Sequence, residues 1–198
     1  MAKIIEGINK AFSDTENRSK KIVWLLESVD EWKIPCVFIS YQREDEDYAK
    51  KVSEYIMSKG ISVFFDLYDT TLKFYYQNSN PKKVTDSIRK GITDSNYMLV
   101  IVSPTTMNSG WVPFEIGYAY DSITENKLVC LKHKGITRSN LPSYLKTKEL
   151  LTGFNDLENF IKEIRGQCRY VYESLETRQA VKNFSEYISN PLSEYLDE

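Results

Sequence analysis

The chain has 198 residues, of which 41% are hydrophobic and 27% are charged. These proportions are typical of a globular protein with a packed core and exclude a disordered or fibrous chain. The 28 acidic and 26 basic side chains leave a net charge of −2, without the basic excess that nucleic-acid-binding proteins use to neutralise phosphates. We therefore expect no nucleic acid among its partners.

Hydropathy gives no sign of a membrane protein. The most apolar stretch, residues 97–102, is far shorter than the roughly 18 residues that cross a bilayer. The first residues soon meet charge and lack the apolar stretch and cleavage site of a secretory signal. We expect a cytoplasmic protein that binds no membrane. The widely spaced Cys36, Cys130 and Cys168 are predicted to be reduced packing residues.

Short apolar runs alternate with helical patterns. Strands that are apolar on both faces, as in a parallel sheet, are predicted at residues 34–41, 61–66, 96–103 and 128–132, with a fifth at 150–154. Apolar residues at helical spacing predict helices at residues 45–59, 82–92, 112–123 and 157–164. The alternation predicts an α/β fold, a flavodoxin-like doubly wound domain over residues 34–168 with a five-stranded parallel sheet.

Two segments with apolar stripes at helical spacing flank this domain. Residues 1–33 form a predicted N-terminal helical extension, whose stripe is Ile22, Leu25, Leu26, Val29 and Trp32. Residues 169–198 form a predicted C-terminal helix and tail, whose stripe is Val171, Leu175, Val181, Phe184 and Ile188. Such helices either pack onto the domain or form an interface with a second copy or a partner.

Several common site types have little support. The single histidine, His133, lies at the end of a predicted strand, and no cysteine pair has the spacing of metal ligands. This argues against a zinc site or a histidine-based triad, and we expect no metal. The glycines form neither a GxGxxG motif nor a Walker loop. A nucleotide would therefore have to be bound without these glycine-rich phosphate-binding loops.

The crevice of a doubly wound sheet lies beyond the carboxyl ends of the strands, where the strand order reverses. In a flavodoxin-like order this is between the first and third strands. Ser40, Tyr41 and Arg43 leave the first strand, and Ser103 leaves the third. The helix that follows begins near Trp111 and carries Glu115. Helical spacing aims that carboxylate near the crevice, although a glutamate close to a helix start also has a purely structural explanation.

Five sequence blocks follow one another along the chain. They are Phe38-Ile39-Ser40-Tyr41, the acidic stretch Glu44-Asp45-Glu46-Asp47, Val63-Phe64-Phe65-Asp66, Ile101-Val102-Ser103-Pro104, and Trp111-Val112-Pro113-Phe114-Glu115-Ile116-Gly117-Tyr118-Ala119. In this order they resemble a Toll/interleukin-1 receptor (TIR) domain of the bacterial type. The resemblance covers roughly half of the chain, and the last block is the most distinctive.

The resemblance implies an enzyme that cleaves NAD+ at the nicotinamide glycosidic bond. Glu115 then matches the catalytic glutamate of the family. Its carboxylate would hold a ribose hydroxyl and stabilise the positive charge that develops at the ribosyl C1 carbon as nicotinamide departs. Because nicotinamide is already a cationic leaving group, the reaction needs no general acid, and NAD+ is the substrate rather than a cofactor.

The same resemblance gives roles to the other polar and aromatic residues of the crevice. Tyr41 and Trp111 would line the crevice or stack on the dinucleotide, Ser40 and Ser103 would offer hydroxyl contacts, and Arg43 would meet the pyrophosphate. Each of these residues also has a structural explanation, in core packing, in a turn or in solvent.

The chain departs from the compact family pattern after Asp66, which matches an acidic position of the family. We count Asp66 among the substrate-binding residues and expect it to order the following loop. That loop, residues 67–81 between Leu67 and Pro81, is long and holds aromatic residues. Family loops at this place mediate contacts between TIR domains, so we expect self-association through the loop and the terminal helices. A lid over the crevice and plain packing are the alternatives.

Stand-alone bacterial TIR proteins with such extensions resemble the signal-generating component of Thoeris-type antiphage defence. The product would then be a cyclic or modified ADP-ribose that activates a separate effector protein. Two other hypotheses stay open at the level of sequence. One is a TIR scaffold without enzymatic activity. The other is a nucleoside deoxyribosyltransferase, because that family shares the doubly wound fold and a glutamate that works at a ribosyl C1 carbon.

Overall fold

The computed structural model describes residues 7–11, 34–66, 78, 80–123, 127–168 and 190–198. Its strands are β1 (Cys36–Ser40), β2 (Ser62–Phe64), β3 (Tyr97–Val102), β4 (Leu128–Lys132) and β5 (Glu149–Leu151). Its helices are α1 (Glu46–Ser58), α2 (Pro81–Thr93), α3 (Val112–Ser122), α4 (Ser143–Lys146) and α5 (Phe154–Gln167). The predicted alternation is confirmed. Helix α4 was not predicted, because four residues are too few to show a helical period.

The five strands form one parallel sheet with the order β2-β1-β3-β4-β5. This is the flavodoxin-like order that the sequence predicted. The chain leaves β1 toward one edge to form β2 and then crosses back to form β3 on the other side of β1. The strand order therefore reverses between β1 and β3, and the helices that follow these two strands pack on opposite faces of the sheet. A doubly wound fold has its ligand crevice at this point.

Alternation along each strand sends successive side chains to opposite faces of the sheet. On one face, Val37 and Ile39 pack with α1, α5 and the C-terminal segment. On the other face, Phe38 packs with α2, α3 and α4. Both faces are covered by helices, which explains why the strands are apolar throughout. Cys36 and Cys130 are buried within this core and form no disulfide, as predicted.

Short terminal segments cover both edges of the sheet. Residues 7–11 run beside β2, where the Lys10 N–H donates to the Val63 carbonyl at 2.7 Å and the Val63 N–H donates to Ile8 at 2.9 Å. At the other edge, Gly153 bridges Asp197. The described part of the predicted N-terminal extension, residues 7–11, is thus not helical: it makes a bridge at Asn9 and then a turn. Pairing with β2 explains this, because it satisfies backbone groups that an open sheet edge leaves unpaired.

Several sequence-based expectations fall outside the described residues. They are the two apolar stripes of the flanking helices and the loop residues 67–77 and 79. Among the helices that the structure describes, none combines the length and the hydropathy of a membrane-spanning segment.

The edge pairing at β2 depends on a glycine. A Cβ atom on Gly7 would lie 1.8 Å from the carbonyl oxygen of Ile61. We expect Gly7→Ala to lower the free energy of unfolding by about 1–3 kcal/mol, because the backbone must shift away from β2. Thermal and denaturant unfolding measure the change.

Gly166→Ala is the matched control for this prediction. Gly166 lies in α5, and a Cβ atom there meets nothing within 4 Å. The control should stabilise the protein by up to about 1 kcal/mol through helix propensity. Equal stability of the two variants would contradict the close packing at Gly7.

Candidate active site

The end of β1 and the start of α3 bring two polar side chains together in the core. Ser40 is the last residue of β1 and lies on the face that packs against α2 and α3. Helix α3 begins beside it, with the Ser109 hydroxyl accepting hydrogen bonds from the N–H groups of Trp111 and Val112, at 3.2 Å each. Glu115 follows in the first turn of this helix. Side chains there point back toward the helix start and hence toward the edge of the sheet.

Glu115 is a buried carboxyl group, with 8% of its surface exposed. The Ser40 hydroxyl donates a hydrogen bond to its Oε2 atom. Burial raises the pKa of Glu115 to about 8; the Ser40 hydrogen bond opposes this rise, and the nearby Asp66 carboxylate adds to it. Desolvation outweighs the hydrogen bond because one hydroxyl replaces only part of the lost hydration of a carboxylate. At neutral pH the free site therefore holds Glu115 mainly protonated.

Tyr41 and Asp66 form the next layer around this carboxyl group. The Tyr41 hydroxyl donates a hydrogen bond to the Asp66 carboxylate, and burial together with this neighbour raises the pKa of Tyr41 above its usual range. The Tyr41 ring also contacts the ring of Phe65, at 5.0 Å between centroids. Loops after β1 and β2 are thus joined beside Glu115. This cluster contains four of the predicted site residues, namely Ser40, Tyr41, Asp66 and Glu115.

Ser103 is directed to a different partner. Its hydroxyl donates to the Asp45 carboxylate at 2.5 Å and accepts from the backbone N–H groups of Thr105 and Thr106. The Thr105 hydroxyl also donates to Asp45, at 2.6 Å. The Thr106 hydroxyl lies 3.3 Å from the same carboxylate oxygen, and its shorter hydrogen bond is to the Ile101 carbonyl, at 2.9 Å. Three hydroxyls from the loop after β3 therefore converge on one carboxylate from the loop after β1. The Ser103 hydroxyl is engaged within the protein, in a clamp between the two loops that border the crevice.

Arg43 and Trp111 lie at the rim. Arg43 is exposed in the short turn Arg43–Asp45 that precedes α1, close enough for its charge to lower the pKa of Tyr41. The Trp111 ring is half-buried and meets the Phe114 ring edge-on, with 6.0 Å between centroids. Phe114 is 37% exposed, so two aromatic rings stand at the start of α3 one helical turn or less from Glu115.

The sequence did not single out Asp45 as a site residue. Asp45 entered the sequence analysis only as part of the acidic stretch at the start of a predicted helix. In the structure it is the residue before α1, but its side chain makes no cap hydrogen bond. Its actual partners, Ser103, Thr105 and Thr106, are about 60 residues away in sequence. Among the described residues, no group of three or more His, Cys, Asp or Glu side chains is placed to hold a metal ion.

A comparison with known families now bears on this site. The family model for the TIR domain matches residues 37–164, which is most of the chain and includes Ser40, Asp66 and Glu115. The chain belongs to the TIR domain family. Membership decides against the nucleoside deoxyribosyltransferases, which the sequence pattern alone had left open.

Three curated TIR relatives align with this domain. The "probable 2′ cyclic ADP-D-ribose synthase TcpO" of Methanobrevibacter olleyae is 31% identical over 81% of this chain and 42% of that protein. The "NAD(+) hydrolase TirS" of Staphylococcus aureus is 32% identical over 48% of this chain and 32% of that protein. The "2′ cyclic ADP-D-ribose synthase BtTIR" of Bacteroides thetaiotaomicron is 23% identical over 65% of this chain and 44% of that protein. The chain thus spans less than half the length of each relative.

The Asp45 clamp of this TIR domain makes a testable contribution to stability. Asp45→Ala should lower the free energy of unfolding by about 2 kcal/mol, because it removes a charged acceptor and leaves partly buried hydroxyls without it. Denaturant titration measures the loss.

Asp94→Ala is the control for the Asp45 prediction, since Asp94 pairs with Lys90 on the exposed surface of α2. Such a pair contributes about 0–1 kcal/mol. If Asp45→Ala cost no more than Asp94→Ala, the three hydroxyl contacts would not act as a clamp.

Proposed function

We propose that this TIR domain cleaves the nicotinamide–ribose bond of NAD+, with Glu115 as the catalytic carboxylate. The observation that carries the proposal is the burial of the Glu115 carboxyl group at the reversal of strand order, with Ser40 as its hydrogen-bond donor. A buried carboxylate without a positive partner stabilises a cation brought to it much more strongly than an exposed one does. The names of the curated relatives, an NAD(+) hydrolase and two 2′ cyclic ADP-D-ribose synthases, support the same reaction class.

The proposed reaction breaks the bond between the ribosyl C1 carbon and the pyridinium nitrogen. The bonding electrons go to the nitrogen, so nicotinamide leaves as a neutral molecule and the positive charge moves to the ribosyl ring. Glu115 stabilises this charge and holds a ribose hydroxyl. A nucleophile then attacks C1 and releases a proton to solvent. With water the product is ADP-ribose, and with an internal nucleophile of the same molecule it is a cyclic ADP-ribose.

The raised pKa of Glu115 is consistent with a reaction in which positive charge moves to the ribosyl ring. The free site favours the protonated carboxyl group because burial opposes ionisation. NAD+ brings a positive pyridinium ring, and a nearby positive charge favours the carboxylate. Substrate binding and ionisation of Glu115 are therefore coupled, and the carboxylate forms where the cationic substrate is present. In the absence of substrate, the site therefore avoids most of the free-energy cost of burying an ionised carboxylate.

The remaining site residues take subordinate roles in the proposal. Ser40 holds the Glu115 carboxylate in place, and Tyr41 with Asp66 forms the wall of the crevice on the β2 side. Trp111 offers an aromatic surface, and Arg43 offers a positive charge at the rim for the pyrophosphate. Ser103 acts indirectly, because its hydroxyl supports the loops through Asp45.

The proposal extends to assembly on the strength of the sequence pattern. We propose that the chain associates with itself through residues 67–81 and the terminal helices, and that its product reaches a separate effector protein. The interaction segments lie for the most part outside the described residues.

Glu115→Gln should reduce NAD+ turnover by about 1,000-fold or more, because the amide cannot carry the negative charge that stabilises the transition state. Gln keeps the size of the side chain and an oxygen that accepts from Ser40, so the fold should be retained. Chromatography with mass spectrometry, at several protein concentrations, measures nicotinamide and identifies the companion product, since a cyclic ADP-ribose is lighter than ADP-ribose by one water.

Asp121→Asn is the matched control for this experiment, because Asp121 is an exposed carboxylate on the same helix. Its turnover should equal that of the wild type. Undiminished nicotinamide release by Glu115→Gln would exclude Glu115 as the catalytic group.

The pH dependence of turnover should follow the ionisation of Glu115. Only the carboxylate stabilises the developing cation, so kcat/KM for NAD+ should rise about tenfold per pH unit below a limb near pH 8 and then level off. The limb for kcat should lie at lower pH, because bound NAD+ favours the carboxylate.

Ser40→Ala tests the assignment of this limb. The Ser40 hydrogen bond lowers the pKa of Glu115, so its removal should move the kcat/KM limb to higher pH. Ser53→Ala is the control, because the Ser53 hydroxyl is also buried but bonds to the Ala49 carbonyl within α1. Glu115→Gln supplies the uncatalysed background at each pH. A limb that stays in place in Ser40→Ala would assign it to another group.

A further inference from the structure

The strongest unassigned feature of the structure is the contact between Asn9 and the end of β2. Asn9 is buried, with 5% of its surface exposed. Its side-chain amide makes three hydrogen bonds. Its Nδ2 atom donates to the Phe65 carbonyl at 2.8 Å, and its Oδ1 atom accepts from the N–H groups of Phe65 at 3.0 Å and Ala11 at 3.1 Å. The amide therefore binds both backbone groups of one residue.

Phe65 needs such a partner because of where it lies. The ladder between β1 and β2 ends at the pair Phe38 and Phe64, so the backbone of Phe65 lies beyond the last paired residue. Its side chain is 1% exposed, and its N–H and carbonyl groups form buried hydrogen bonds with Asn9. A primary amide donates and accepts in one plane, so the Asn9 side chain bonds to the N–H and the carbonyl of Phe65 as the backbone of a neighbouring strand would.

Phe65 leads directly into the candidate active site. The next residue, Asp66, accepts the hydrogen bond of the Tyr41 hydroxyl, and the Phe65 ring packs on the Tyr41 ring. Asp66 is also the residue whose charge reaches Glu115. A chain of direct contacts thus runs from Asn9 through Phe65 to the side chains beside Glu115.

Asn9 lies outside the part of the chain that matches the TIR family model, which begins at residue 37. Its segment is nonetheless joined to β2 by backbone pairing at Ile8 and Lys10 and by the close approach of Gly7. We infer that Asn9 is a positioning residue for the proposed NAD+ site, which fixes Asp66 and Tyr41 by clamping the backbone of Phe65. The statement that the positioned site binds NAD+ rests on the proposed function. The contact between Asn9 and Phe65 rests on the structure alone.

The test compares Asn9→Ala with Ile8→Val in the full-length chain. Asn9→Ala removes all three amide contacts. Ile8→Val removes one buried methyl group from the same segment, where Ile8 is 7% exposed, and leaves the amide in place. Both variants loosen the segment, but only the first releases Phe65. Hydrogen exchange should show the Phe65 amide exchanging about tenfold faster in Asn9→Ala, since one hydrogen bond is worth about that factor, and unchanged in Ile8→Val.

Two further readouts separate positioning from simple loss of stability. The titration of the Glu115 carboxyl carbon by NMR, assigned from the signal missing in Glu115→Gln, reports the surroundings of that group. Glu115 is faced by the Ser40 hydroxyl from β1 and by Asp66 after β2. Displacement of Asp66 should lower the pKa of Glu115 in Asn9→Ala and leave it unchanged in Ile8→Val. With NAD+ as substrate, KM should rise several-fold in Asn9→Ala only.

The outcomes are distinct. Faster exchange at Phe65 with an unchanged Glu115 titration and unchanged KM would overturn the positioning role. If Asn9→Ala does not fold, Asn9→Ser is the second variant, because its short hydroxyl adds no charge and cannot bond both the N–H and the carbonyl of Phe65 as the amide does. The same shifts are expected from it, and their absence overturns the inference. A wild-type protein that does not cleave NAD+ would sink the proposed function, while hydrogen exchange and the titration would still decide the role of Asn9.

Discussion

The rest of this site depends on the burial of one carboxyl group, that of Glu115. Glu115 needs a hydrogen-bond donor in a place that water does not fill, and Ser40 supplies it from the end of β1. That contact is available only because β1 lies at the centre of the strand reversal and α3 starts at the same edge of the sheet. The cost of burying a carboxylate raises the pKa of this group. In the proposed reaction, fold topology, protonation and substrate charge are therefore linked at one side chain.

The rim of the crevice is held by contacts that reach across loops. Asp45 ties the loop after β1 to the loop after β3, and Asn9 ties the N-terminal segment to the end of β2. Each uses a single side chain to bind several groups at once. Loops alone would be the most mobile part of such a fold, yet the position of a catalytic carboxylate must be held closely. The two contacts reconcile these demands by fixing the loops at their bases.

The sequence predicted the fold well and the site in part. Strand β4 has the predicted bounds, and the bounds of the other strands lie within one to three residues of the predicted ones. The reason is that short apolar runs between helical patterns are visible in the local sequence. Ser40, Tyr41 and Glu115 lie together near the strand reversal, where the sequence placed the candidate site, and the structure adds Asp66, which the sequence assigned to ordering the following loop. The Ser103 hydroxyl bonds to Asp45, a contact that the sequence did not predict. Residue type alone does not show this, since a serine hydroxyl serves a substrate and a neighbouring carboxylate equally well.

The sequence by itself determined the order of strands and helices, the apolar faces and the parallel doubly wound topology, which follow from periodicity within short stretches of chain. The family resemblance pointed to Glu115 as the candidate carboxylate. Only the tertiary structure decided which groups touch that carboxylate and what its pKa becomes. Ser40 and Glu115 are 75 residues apart, and Asn9 and Phe65 are 56 apart. Such pairings depend on how distant segments meet in the folded chain, because burial and hydrogen bonding are properties of the assembled neighbourhood.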